Sequence, residues 1–102
     1  MNRVTRYTKL SSSVRVSHQK SLIGVVQCRS TADLKANYEM NRHYIMECVE
    51  RGASLVCLPE YFAYIQHPAI PNSWNEPITG PTIAQYQKLA LDNQCWLSLG
   101  GF

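Results

Sequence analysis

One carboxylate stands where a parallel α/β sheet would put its chemistry. Glu60 follows the apolar run Ser54 to Leu58 (SLVCL) and then Pro59. Proline cannot donate a ladder bond, so it marks the exit of a strand and stiffens the backbone before the glutamate. A carboxylate so placed can serve as a general base or acid if its surroundings bring its pKa towards neutrality. Residues 61–79 carry Pro, Asn and aromatic side chains with weak periodicity. That stretch exceeds the usual connection of roughly 4–6 residues, and loops of this size tend to cover sites. On spacing alone, an ordinary solvated carboxylate at a strand end fits Glu60 as well and is the commoner case.

Only two other places offer themselves by the same rule, since such sheets hold ligands beyond the carboxyl ends of their strands. Arg29 and Ser30 follow the run Leu22 to Cys28, and Gly100–Gly101 follow Cys95 to Leu99. The glycine pair lacks the GxGxxG spacing and a helix after it, which weakens a phosphate-binding reading. Cys28, Cys48, Cys57 and Cys95 form no CxxC or Cys/His pattern, and His18, His43 and His67 are isolated, so no metal site is expected. Three of the four cysteines sit in apolar runs, where a free thiol behaves as a small hydrophobe, and a reducing compartment fits better than a disulfide scaffold. Tyr61, Phe62, Tyr64 and Trp74 have no interleaved Lys or Arg and read as loop aromatics packing on the scaffold rather than as a base-stacking platform.

The elements that must position these residues alternate. Leu22 to Cys28 (LIGVVQC) suits a strand buried on both faces. A turn at residues 29–33, with Ser30, Thr31 or Asp33 as cap, leads to a helix from about Leu34 to Arg51, closed by Gly52 as C′ residue. Its apolar face is expected to hold Leu34, Tyr38, Ile45, Cys48 and Val49. SLVCL is a second strand. Pro81 opens a second helix over about Thr82 to Asn93 with Ile83, Tyr86, Leu89 and Ala90 inward, and CWLSL is a third strand. The order β-α-β-α-β implies an α/β fold with parallel pairing and right-handed crossovers. Both helices then lie on one face of the sheet. The opposite face, apolar as well, expects a second layer, and without one the chain is expected to associate or to depend on a partner.

Charge separates the chain into two parts. Residues 1–20 carry +5 and residues 21–102 carry −2, which gives the net +3. The tail, with Arg and Ser and no acid, has the composition of a mitochondrial transit peptide and equally of a disordered N-terminal extension. Residues 21–102 form the folded domain, whose faint acidity excludes a basic nucleic-acid-binding face. No apolar run approaches the roughly 18 residues of a membrane span, so no membrane partner is expected. A cytoplasmic or mitochondrial location fits these features.

Several stretches together carry a resemblance: IGVVQC, Asn37 in the first helix, GASLVCLPEYF, EPITGP and WLSLGGF. From Ile23 to Phe102 the chain resembles the N-terminal part of a carbon–nitrogen hydrolase of the nitrilase superfamily, closest to the branch of deaminated glutathione amidases and omega-amidases. The implied fold is the beginning of an α-β-β-α sandwich. The implied activity is hydrolysis of a small carboxamide without cofactor, in an enzyme that forms homo-oligomers. LPE followed shortly by Phe resembles the first catalytic motif, which makes Glu60 the general base. In that chemistry a cysteine attacks the amide carbonyl, ammonia leaves and water hydrolyses the thioester. A free thiol near pKa 8.5 needs a base, an unperturbed glutamate near 4.3 matches the task poorly, and burial under a loop would raise it. A lysine supplies positive charge to the oxyanion.

The chain departs from that pattern in one respect. The family's lysine and nucleophilic cysteine come from strands beyond the point equivalent to Phe102, and none of the four cysteines present follows the nucleophile motif. Lys88 is expected to face solvent. Two readings follow. One is an amidase fragment that is inactive alone. The other is a shortened paralogue that binds a partner subunit.

Overall fold

The computed structural model describes residues 3–11, 20–69 and 74–102. Its elements are β1 (Arg3–Ser11), β2 (Lys20–Gln27), α1 (Leu34–Glu50), β3 (Ala53–Cys57), α2 (Pro81–Asp92) and β4 (Trp96–Ser98). From β2 onward this is the β-α-β-α-β order, and the fold class is α/β. The sheet runs β1-β2-β3-β4, with β2, β3 and β4 parallel and β1 antiparallel to β2. Strand β1 differs from the disordered extension expected for residues 1–20. Its sequence, RVTRYTKLS, carries Val4, Thr5, Tyr7 and Thr8, residue types that favour pairing. The remainder of the tail, residues 1–2 and 12–19, lies outside the described residues.

Strand alternation divides the sheet into two unlike faces. Gly24, Val26, Val56 and Leu58 are buried on one face, and α1 packs there against β2 and β3. Consecutive crossovers that step the same way place α2 on that face too, where it meets β4. Residues of the opposite face fall in register as Ile23 with Leu55 and Trp96, and Val25 with Cys57 and Ser98. None of these is buried, and Trp96 is 78% exposed. Among the described residues this apolar face lacks the second layer that its composition predicts.

Helix α1 is held at both ends by short-range chemistry. Asp33 caps it by accepting from Ala36 N at 3.0 Å, and Gly52 follows it with φ of 98°, the left-handed geometry that favours glycine. Its buried stripe, however, is Asn37, Asn41, Ile45 and Cys48. Leu34, Tyr38 and Val49, expected inward, only pack at the edge of the core. The stripe is polar at the end of the helix near the carboxyl ends of the strands and apolar at the other. At the apolar end Cys48 lies directly on Gly24, where a Cβ would fall 2.6 Å from its sulfur.

Helix α2 begins with Pro81 and buries Thr82, Ile83, Tyr86 and Leu89. Its N-cap, Gly80, has no side chain to cap with. Glu76 takes that role by accepting from Thr82 N at 2.7 Å and from Thr82 Oγ1 at 2.9 Å. The carboxylate thus satisfies free amides at the positive end of the helix. The centre of the core is aromatic: the Phe62 and Tyr86 rings meet edge to face at 5.1 Å, and Tyr38 meets Tyr86 at 5.2 Å. A fully buried side chain of this size contributes roughly 1.5–3 kcal/mol.

Candidate active site

The carboxyl end of β3 delivers Glu60. Leu58 N still donates to Ser98 O at 2.9 Å, so the parallel ladder to β4 continues up to Pro59 and stops there. Glu60 then enters a turn in which Tyr61 has φ of 57°, an uncommon conformation for a residue with a large side chain. That turn sends neighbouring side chains in different directions. Phe62 and Ala63 are buried, whereas Tyr61 is 59% exposed. The Glu60 carboxylate lies at an open cavity of about 550 Å³, with Tyr64, Trp74, Glu76 and Phe102 among its walls.

The cavity wall is a chain of rings. Trp74 meets Tyr64 at 5.4 Å and Phe102 edge to face at 5.1 Å, and Phe102 stacks on Phe62 at 6.1 Å. The loop aromatics pack on the scaffold as expected, except Tyr61, which is largely exposed at the cavity's edge. Glu60 itself is exposed in this chain. The cover expected from residues 61–79 falls in part on residues 70–73, which lie outside the described residues. Among the described residues, the cavity wall contains two carboxylates, Glu60 and Glu76, and no Lys, Arg or His.

The other two strand ends serve Glu60 indirectly. Ser30 is turned inward, its hydroxyl donating to Phe62 O at 3.4 Å, and Arg29 is exposed outside the cavity wall. Gly100 and Gly101 bring the chain after β4 against the Pro59–Glu60 segment. A Cβ on Gly100 would lie 2.7 Å from Glu60 N, and one on Gly101 would lie 3.1 Å from Glu60 Cγ. The pair is thus a close-approach device and not a phosphate loop. Absence of side chains at both positions lets Glu60 stand where it does.

Two residues that the apolar periodicity passed over reach the same segment from the opposite side. Asn37 Nδ2 donates to Thr31 O and Ala63 O, each at 2.8 Å, while its Oδ1 accepts from Thr31 N at 2.9 Å and Thr31 Oγ1 at 3.1 Å. Asn41 Nδ2 donates to Phe62 O at 2.8 Å and Tyr86 Oη at 2.9 Å, and its Oδ1 accepts from Cys28 Sγ at 3.4 Å. Their i,i+4 spacing on a helix that begins at a strand's carboxyl end was the available signal, and a hydrophobic face count discards it. Of the two, only Asn37 is among the features that carry the family resemblance.

None of the four thiols is among the described residues lining the cavity. Burial pushes both Cys28 and Cys95 upward from the ordinary thiol range, with a hydrogen bond to Ser30 opposing this at Cys28, and Cys48 is fully buried. A raised pKa lowers the thiolate fraction at neutral pH. Lys88 is at the surface, paired with Asp92 at 2.6 Å, and does not reach the cavity. Neither a nucleophile nor a cation joins Glu60 among the described residues lining the cavity.

Comparison with known proteins shows the family to which the chain belongs. The family model described as carbon–nitrogen hydrolase matches residues 22–102. The human deaminated glutathione amidase is 37% identical over 98 residues, covering 95% of this chain and 29% of that protein. The rat protein of the same name is 35% identical over 94 residues, covering 91% of this chain and 29% of its own length. A Drosophila melanogaster protein named nitrilase and fragile histidine triad fusion protein is 32% identical over 84 residues, covering 81% of this chain and 18% of its length. The chain therefore spans less than a third of the length of these relatives. No solved structure matches it significantly. Over most of its length, from the LIGVVQC strand to the final Phe102, the chain belongs to the carbon–nitrogen hydrolase family.

Proposed function

We propose that this chain supplies the general-base glutamate and one wall of the substrate pocket of an amidase. The observation that carries the reading is Glu60 at the carboxyl end of β3, lining a 550 Å³ cavity, with the glycine pair against it and α1 bonded to the carbonyls of Phe62 and Ala63 that follow. In the reaction Glu60 accepts the proton of a cysteine thiol as the sulfur attacks a carboxamide carbon, then returns that proton to the departing ammonia. A lysine stabilises the oxyanion. Both partners come from sequence that these 102 residues do not contain, so the chain alone is inactive. The relatives' names support an amide substrate, and where that amide is substituted, as in deaminated glutathione, the proton passes to a departing amine in place of ammonia. Because the described residues of this wall carry only negative charge, they do not hold a substrate carboxylate.

The test is amide hydrolysis in a longer protein that contains this chain followed by a lysine and a cysteine in the family's order. Ammonia release from a dicarboxylic monoamide is expected there and not from residues 1–102 alone. Glu60→Gln lowers kcat by about 10²–10⁴-fold, the usual contribution of acid–base catalysis, while KM changes little. Normal turnover by that variant would remove the base role from Glu60.

A second reading, a shortened paralogue that binds a partner subunit, has one observation in its favour. The uncovered face around Trp96, Leu55 and Ile23 is the kind of apolar surface that pairs with another protein layer. In this reading the chain assembles with a complete amidase subunit and modulates it. Co-expression with such a subunit separates the two, since a stable hetero-oligomer lost on Trp96→Lys favours the second.

A further inference from the structure

We propose that Asn37 and Asn41 are positioning residues for Glu60: they fix the turn that aims the carboxylate into the cavity. The inference rests on the reading of Glu60 as the base. It starts from a cost. Asn37 and Asn41 are 1% and 0% exposed, in a stripe whose other members are Ile45 and Cys48. A buried amide is unfavourable unless its donors and acceptors are met, and apolar residues would hold a helix on a sheet without that demand. These amides therefore do something that packing does not.

Their donors converge on one place. Asn41 takes the carbonyl of Phe62 and Asn37 takes the carbonyl of Ala63, two successive peptide units just beyond Tyr61. Tyr61 is in the left-handed region at φ 57°, which costs energy for a bulky residue and persists only where the surroundings over-determine it. The two amides supply that constraint on the far side of Tyr61. Ile65 N, donating to Thr31 O at 3.0 Å, ties the loop to the same turn that Asn37 organises. On the near side, Gly100 and Gly101 confine Pro59 and Glu60. Without the amides, Tyr61 relaxes to negative φ and the Glu60 backbone rotates with it. A single helix thus carries an anchor at each end: Cys48 on Gly24 seats it, and the asparagines use the seated helix to hold the turn.

The test uses the chain itself and reads Glu60 directly by NMR. Asn37→Asp and Asn41→Asp keep side-chain shape and acceptor oxygens but lose the donors. In either variant the backbone order parameter over Glu60 to Ala63 is expected to fall from roughly 0.85 to below about 0.6, with a shift of the Glu60 carboxyl resonance. Glu47, on α1, stays unchanged. Tyr86→Phe is the comparison, because it removes the hydroxyl that Asn41 also contacts yet leaves both carbonyl bonds intact. It lowers overall stability without loosening Glu60.

The proposal is overturned if Glu60 keeps its order in both folded Asp variants, or if Tyr86→Phe loosens it equally. Should neither Asp variant fold, hydrogen exchange in the unaltered chain decides. The Ile65 amide opening together with α1 supports the clamp, and its opening well before α1 overturns it. None of these readouts depends on turnover, so the base role, tested by Glu60→Gln, can fail separately.

Discussion

Gly101 lies against Glu60 so closely that a Cβ on the glycine would sit 3.1 Å from Glu60 Cγ and 3.4 Å from its Oε1. One residue earlier the obstacle is of another kind. A Cβ on Gly100 would run into the Pro59 carbonyl and lie 2.7 Å from Glu60 N. A carboxylate arm can swing aside, whereas a backbone peptide unit directly after the last ladder bond, Leu58 N to Ser98 O, has far less room to move.

The two glycines should therefore respond unequally to the same substitution. Gly100→Ala is expected to cost about 1–3 kcal/mol, as overpacking against fixed atoms does. It should also move the backbone resonances of Glu60 and Tyr61. Gly101→Ala should cost less than about 1 kcal/mol and displace only the Glu60 side chain. Urea denaturation with amide chemical shifts measures both effects. Equal costs would mean that the exit of β4 does not rest on Pro59.

Gly24 makes a comparable demand at the other end of α1. Its missing Cβ would lie 2.6 Å from Cys48 Sγ and 2.8 Å from Cys48 Cβ. Gly24→Ala is expected to destabilise the chain by about 1–3 kcal/mol. Cys48→Ala withdraws the sulfur, so the double variant should be more stable than the two single costs predict, by about 0.5 kcal/mol or more. A double-mutant cycle in denaturant measures this coupling. Simple additivity would show that helix and strand do not touch there.

The alternation of strands and helices was legible because each element announces itself locally. LIGVVQC and SLVCL are apolar runs, Asp33 and Gly52 bound α1, and Pro81 opens α2. Of the candidate site, only the place of Glu60 in the fold was legible, because Pro59 marks the strand's end. Its supports were hidden because each depends on a meeting between distant segments. Nothing near Gly100 reports that Pro59 lies across from it, and Asn41 on a helix reads as a polar residue until Phe62 O is known to face it. Strand β1 was hidden for another reason. The basic tail invites a compositional reading, while its pairing depends on a partner strand.

The segment EPITGP is a capping device, and one substitution exposes it. Serine is ordinarily a better N-cap than glycine. At Gly80 the space that a Cβ needs is taken by Glu76, with Cγ 2.6 Å and Oε2 2.7 Å from that position. Gly80→Ser is therefore expected to destabilise α2 despite the favourable side chain. Glu76→Ala should cost about 0.5–2 kcal/mol, the usual range for a lost cap, and Glu76→Gln less because it keeps an acceptor. Thermal unfolding followed by circular dichroism ranks the three. Stabilisation by Gly80→Ser would show that Glu76 does not occupy the cap.

Tyr86 gives the fold an alkaline limit. Its phenol is buried between α1 and the Glu60 loop, and burial pushes its pKa up to about 12 from 10, with the hydrogen bond from Asn41 opposing the rise. The charged form is thus the disfavoured one in the folded chain. Below pH 10 both states keep the proton and stability is unaffected. Between about pH 10 and pH 12 the unfolded chain releases it first, so stability falls as pH rises. Two pKa units correspond to about 2–3 kcal/mol, which is the order of the expected loss. Cys28, whose thiol is also raised by burial, and Tyr38 lie close enough to couple to this phenol, so the total slope belongs to the cluster. Tyr86→Phe isolates its share. The variant is expected to lose about 1 kcal/mol at neutral pH, from the hydrogen bond to Asn41, and to show a shallower decline in the alkaline range. Denaturant midpoints across that range, together with tyrosinate absorbance, provide the measurement. An identical alkaline slope with phenylalanine in place would assign the effect to the thiols instead.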